Sequence, residues 1–269
     1  MKKIQITFTV FAILFSTLAS AHFPQNITFH ANPNYIEDQE SEMTGLQLRD
    51  LSLSERTSAP EEQAVGFYSK GRLKNATSLD ADGVGYLKLF TDRDRGYGTG
   101  LLVDTLVDLG AKLMDQYPAS ERIQIGDISG PVGGKISRHA SHQNGLDVDL
   151  AFMRTNKKEQ SPSVETGFIE VFVKGSKVTK NFNTERNWFV INSLVKTDKI
   201  VRIFVDKVIK KELCQYAKKN NLLSEHEETL RRLRPWPHHG DHMHVRFVCP
   251  ESSSRCVSQE DPPEGHGCD

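Results

Sequence analysis

The chain has 269 residues, with 34 Lys and Arg against 35 Asp and Glu. That near-balance argues against a nucleic acid partner, which needs clustered basic side chains to neutralise phosphates. The length suffices for one domain with a full hydrophobic core, or at most two small ones.

Lys2 and Lys3, an apolar run over 4–18 and Ala19-Ser20-Ala21 read as an export signal cleaved after Ala21. The run is shorter than the roughly 20 apolar residues a membrane span needs, and Gln5, Thr7 and Thr9 interrupt it. No later stretch is apolar enough to span a bilayer, so the expected mature protein carries no membrane span. Residues 22–64 are polar and without periodicity, an arm ahead of a domain expected over 65–269.

Within that domain, Tyr86 to Phe90 alternates as a strand does, and Leu101, Leu102, Leu106, Leu109 and Leu113 recur at helical spacing with Pro118 beyond them. Ile123, Ile125 and Ile128 suggest a short buried strand before the glycine-rich loop 130–134. That loop lacks the Lys-Ser/Thr of a phosphate-binding loop. Strands are expected over 146–152, 168–173, 201–205 and 243–248, and helices over 185–195 and 208–217. Strands and helices do not alternate regularly. The fold class expected is therefore α+β, a mainly antiparallel central sheet with flanking helices.

All four cysteines, Cys214, Cys249, Cys256 and Cys268, fall in the last quarter. Their gaps contain no C-x-x-C pair, which excludes a zinc ribbon, and an even count in an exported chain favours disulfides. Cys249 with Cys256 closes a local loop, leaving Cys214 with Cys268.

Six of the ten histidines lie in two short segments: His139 and His142, then His238, His239, His242 and His244. After the Asn144-Gly145 turn signal, Asp147 and Asp149 alternate with Leu146, Val148 and Leu150. A strand there puts both carboxylates on one face and the apolar residues on the other. His242 and His244 flank Met243 and share a face for the same reason. Such neighbours lie about 6–7 Å apart, so one imidazole should bind a metal while the other sits beside it. Two imidazoles and one carboxylate make a three-ligand zinc site with an open position for water, the arrangement of a catalytic zinc. His226-Glu227 does not continue as H-E-x-x-H, because position 230 is leucine, and no serine lies in G-x-S-x-G. A histidine outside the ligand set must therefore move the proton: His242, assisted by His239.

The H-x(6)-D spacing of His142 and Asp149, with H-x-H at His242 and His244, resembles the metallopeptidase superfamily of lysostaphin, D-alanyl-D-alanine peptidases and the hedgehog domain. Segments 125–127, 133–134, 139–149, 202–205, 234–236 and 239–246 are most similar to the penicillin-insensitive murein endopeptidases. The resemblance implies a periplasmic zinc enzyme that hydrolyses D-alanyl-diaminopimelyl cross-links of peptidoglycan. It implies His142, Asp149 and His244 as ligands of one zinc per chain, and His242 and His239 as catalytic groups. His139 matches a family histidine near the metal, either a ligand or a hydrogen-bonding neighbour. The rival readings are a D,D-carboxypeptidase of the same superfamily and a zinc-bearing cell-wall-binding module without turnover.

Overall fold

A computed structural model of the chain describes residues 61–163 and 166–268. The expected export signal, and nearly all of the arm that follows it, lie outside the described residues.

Among the described residues thirteen short strands form in chain order: β1 (Gln63–Phe67), β2 (Lys70–Lys74), β3 (Thr77–Ser78), β4 (Asp82–Gly83), β5 (Tyr86–Lys88), β6 (Tyr97–Gly98), β7 (Ile123–Ile125), β8 (Asp147–Ala151), β9 (Val173–Lys174), β10 (Lys177–Val178), β11 (Ile200–Val205), β12 (Leu233–Pro235) and β13 (His242–Phe247). Four α-helices accompany them among the described residues: α1 (Gly100–Gln116), α2 (Thr184–Val195), α3 (Lys207–Lys219) and α4 (Glu227–Arg232). The central sheet runs β12-β11-β13-β8-β7-β5-β4. Its pairs are antiparallel except β11 with β12 and β5 with β7, so the α+β, mainly antiparallel architecture expected from the sequence is the one that forms.

Alternation along the strands divides the two faces of this sheet. Val148, Leu150, Met243, Val245, Ile203 and Val205 enter the hydrophobic core beside Leu106 and Leu113 of α1, Ile191 of α2 and Leu213 of α3. The opposite face carries the polar residues of the same strands, and it is this face that becomes a cleft. The helices owe their positions to apolar stripes and to caps: Thr99, Asn183 and Asp206 each accept a backbone N–H of the first turn of α1, α2 and α3.

The segment 168–173 does not form the strand expected of it. Only Val173 enters one, a two-residue ladder of β9 with β10. Ile169 and Val171 are 64% and 60% exposed, whereas Phe172 is buried in the core and Phe168 packs against Leu87, Leu89 and Phe90, so the segment is anchored by its two phenylalanines and not by a strand's alternation. The backbone is held from elsewhere, Ile169 N donating to Gln160 Oε1 and Phe172 N to Gly240 O. Tyr86 to Phe90 ends as a strand at Lys88, and Ile123 to Ile128 at Ile125. The β1–β2 hairpin, helix α4 and strand β12 have no counterpart in the sequence reading, being too short to establish a period. Disulfides join Cys214 to Cys268 and Cys249 to Cys256. The first ties the C-terminal segment to α3, and the second closes the loop that packs on β1, where Gly66 N donates to Arg255 O and Val257 N donates to Gly66 O.

Candidate metal centre

In the middle of the polar face, β8 and β13 pair with Asp149 opposite His244 and Asp147 opposite Arg246. His142 reaches the same place from the loop before β8. Its backbone is left-handed, at φ 64°, a conformation uncommon outside glycine and asparagine. Its N–H donates to Asp147 Oδ2, and its ring turns toward the strand pair. Gly126, next along from β7, keeps that floor open, since a Cβ there would lie 2.6 Å from the Phe168 ring and 3.3 Å from Asp149 Cβ.

Three atoms converge: His142 Nε2 and His244 Nδ1 are 3.2 Å apart, and each is 3.3 Å from Asp149 Oδ1. The hydrogens of these rings are fixed from outside. His142 Nδ1 is 2.7 Å from Ile128 O, an oxygen that can only accept, so Nδ1 bears the hydrogen and Nε2 presents a lone pair inward. His244 Nε2 lies 3.1 Å from Asp147 Oδ1, outside good hydrogen-bond alignment, but the carboxylate's charge favours the hydrogen on that nitrogen and leaves Nδ1 as the inward lone pair. Asp149 Oδ1 is buried and accepts no well-directed hydrogen bond. Such a triangle of electron pairs fits a cation at its centre, because a tetrahedral ion with ligands at about 2.0 Å has edges of about 3.3 Å. Two nitrogens and one carboxylate oxygen are a donor set that zinc accepts.

His139 borders the same point. Its Nε2 is 3.0 Å from Asp127 Oδ2, and its Nδ1 is 3.7 Å from Asp149 Oδ2. His139, His142 and Asp149 each offer a ligand atom within 4.8 Å of the others, a second triad that could hold a metal. It shares two members with the first and is the looser of the two.

The surrounding charges are arranged to keep these carboxylates ionised. Burial raises the Asp149 carboxyl, but the neighbouring charges of His142 and His242 outweigh it and hold the group well below its usual value. Asp147 is likewise depressed, burial being overcome by His244 and by Arg246, whose Nε and Nη2 donate to it at 2.8 and 3.1 Å. Asp127 is drawn down to about 2, burial being overcome by His139 and Arg93, each 3.0 Å away, and by the charge of Lys88. Burial lowers His142, whereas the charges of Asp147 and Asp149 overcome burial at His244 and raise it to about 9.

His242 and His239 stand beside the triangle. His242 Nδ1 is 2.6 Å from Asp241 Oδ1, which leaves Nε2 facing inward, 3.6 Å from Asp149 Oδ1. Its pKa is raised, the charges of Asp149 and Asp241 exceeding the effect of burial. His239 donates Nδ1–H to Pro237 O, and burial together with the charge of His242 lowers it to about 4. Phe168 stacks on the His242 ring at 4.8 Å between centroids and 17° between planes. All six histidine and aspartate candidates from the sequence thus line one cleft of about 490 Å³. His238, in the same cluster, lines it too but is exposed and reaches none of these groups. Sequence reasoning gave no role to Asp127, Asp241 or Phe168. Asp241 adjoins a histidine and could have been found by that adjacency; Phe168 belongs to the segment misread as a strand.

Residues 64–269 match the family model described as penicillin-insensitive murein endopeptidase. The chain belongs to that family. It is 33% identical to a penicillin-insensitive murein endopeptidase of Yersinia pestis over 213 residues, covering 78% of this chain and 74% of the relative. Against the protein of that name from Haemophilus influenzae the identity is 31% over 208 residues, with coverages of 76% and 70%. For the one from Pectobacterium atrosepticum it is 33% over 209 residues, with coverages of 77% and 72%. The matched region contains both histidine segments and all four cysteines.

Proposed function

We propose that this chain is a zinc-dependent endopeptidase of peptidoglycan that hydrolyses D-alanyl-diaminopimelyl cross-links in the periplasm. The observation that carries the metal assignment is the inward triangle of lone pairs on His142 Nε2, His244 Nδ1 and Asp149 Oδ1; family membership supports the substrate class. These three residues would hold one zinc ion per chain. When bound, zinc supplies Lewis acidity toward the scissile carbonyl and a water whose pKa falls to near 7.

The protein's own groups do the rest. Ile128 O locks the tautomer of His142 and the neighbouring Asp147 charge favours that of His244, so the ligands need little rearrangement. His242 accepts the proton of the attacking water at Nε2, because Nδ1 is committed to Asp241, whose carboxylate stabilises the imidazolium formed. The same nitrogen then returns the proton to the leaving amine. His239, neutral at pH 7 and with Nε2 uncommitted, assists in orienting the water. His139, tied to Asp127, supports Asp149 from its other oxygen. No side chain is acylated in this scheme, and an acylating β-lactam would find no serine nucleophile to trap.

Paired substitutions test the assignment. His244→Ala should abolish both bound zinc and cleavage of a cross-linked muropeptide dimer. His242→Ala should retain the metal and lose about 10²- to 10⁴-fold in rate. Metal retained in His244→Ala but lost in His242→Ala would exchange the two roles; full activity in both would exclude this cleft.

A further inference from the structure

The groups assigned above belong to β8, β13 and the loops beside them. The same face of the sheet continues over β11 and β12, where Arg202 stands opposite Arg246, Phe204 opposite His244, and Arg234 opposite Phe204. With strands about 4.8 Å apart, the backbone of Arg234 is about 10 Å from that of His244, within reach of a long side chain. Arg202 and Arg234 both line the cleft.

Most cations on this side are already neutralised. Arg246 is committed to Asp147 and Gln259, and Arg231 and Arg232 to Glu228 and Asp261. Arg202 and Arg234 are not. Arg202 donates from Nη2 to the Glu260 carbonyl at 2.8 Å, and its buried Nε has no partner. The Arg234 side chain makes no hydrogen bond or ion pair among the described residues. Burial and the charges of Arg234 and Arg246 disfavour the cationic form of Arg202, a repulsion only partly offset by Asp261. Two guanidinium groups placed together against their own repulsion form a site that an anion completes, and the planar fork of arginine matches a carboxylate.

We propose that Arg202 and Arg234 bind the carboxylate carried by the carbon next to the scissile nitrogen, and that this subsite selects the bond to be cut. The inference rests on the murein reading above. In a D-alanyl-diaminopimelyl link that carbon carries a free carboxylate, three bonds from the carbonyl under attack. In an internal bond of an ordinary protein the same carbon carries a neutral amide, which would leave the two cations unmatched. The subsite therefore accepts cross-links and rejects proteins. The terminal D-alanine of an uncross-linked stem carries the same carboxylate, so substrate arms must separate the two sources.

The test uses the full-length, zinc-loaded protein and two synthetic muropeptide dimers that differ only in this carboxylate, free in one and a primary amide in the other, with a monomeric pentapeptide as third substrate. Wild type should prefer the free acid by about 10- to 100-fold in kcat/KM, the range of a charge-assisted bidentate contact. Arg202→Gln and Arg234→Gln should each reduce that preference several-fold while binding as much zinc as wild type. Arg234→Lys, which keeps the charge and loses the fork, should fall between. Arg234 is partly exposed and outside the core, so its variants report even if Arg202→Gln folds poorly. Equal cleavage of acid and amide by wild type, or an unchanged preference in the Arg234 variants, overturns the subsite. So does an effect confined to the pentapeptide. If wild type cleaves neither dimer, the murein reading itself fails.

Discussion

Replacing Asp147 by asparagine separates the metal ligands from the groups that hold them. Asp147 is completely buried. It accepts two bonds from Arg246 and one from the backbone of His142, and it meets His244 Nε2 at 3.1 Å. An asparagine retains one acceptor oxygen, but its amide turns a donor toward a donor, whichever way it is placed, and leaves the buried Arg246 charge uncompensated. Breaking a buried charge pair from one side costs about 3–5 kcal/mol. Asparagine's remaining acceptor puts the expected loss near the lower end, about 3 kcal/mol. For a domain of this size that corresponds to a fall in Tm of about 6–12 °C. The loosened His244 should separately weaken zinc about 10- to 100-fold. Denaturant unfolding of chelator-stripped protein reads the first effect, and competition with a fluorescent zinc chelator reads the second. If stripped Asp147→Asn unfolds within about 0.5 kcal/mol of wild type and its zinc affinity is unchanged, the argument that Asp147 orients the centre is wrong.

Stability in acid should depend on Asp127, whose pKa is lowered from 3.8 to about 2 in the folded chain. A depressed carboxyl contributes stability above its unfolded value that is lost as pH falls through the folded one, here about 2 kcal/mol between pH 4 and 2; Asp127→Asn should flatten that part of a stability–pH curve measured by urea unfolding. Reducing Cys214–Cys268, which spans 54 residues, should cost about 4 kcal/mol on a chain-entropy estimate, against about 2 kcal/mol for the 7-residue separation of Cys249–Cys256. Single cysteine-pair deletions compared by thermal melting would reveal a reversed order. Phe168→Ala removes the ring stacked on His242 and should lower kcat several-fold with zinc content intact, whereas a change in KM alone would assign Phe168 to substrate contact.

Whatever rests on local period and local chemistry is legible along the chain. Alternation along Leu146 to Leu150 forces Asp147 and Asp149 onto one face, and alternation about Met243 does the same for His242 and His244, because a strand side chain has only two directions. The long helices were legible for the same reason, with three or more turns of apolar repeat. Tertiary structure decided the matters that pair distant residues. Nothing in the spacing separates Asp147 from Asp149; the register of β8 against β13 sets Asp149 beside His244 and gives Asp147 to Arg246. The chain says nothing of Phe168 against His242, or of Asp127 against His139, which lie 74 and 12 residues apart in sequence. The apolar alternation of 168–173 misled because Phe172 enters the core while Ile169 and Val171 are left exposed, and the segment finds no strand partner among the described residues before Val173. A hydrophobic period reports that a segment has two faces, and only the packed chain determines what each face meets.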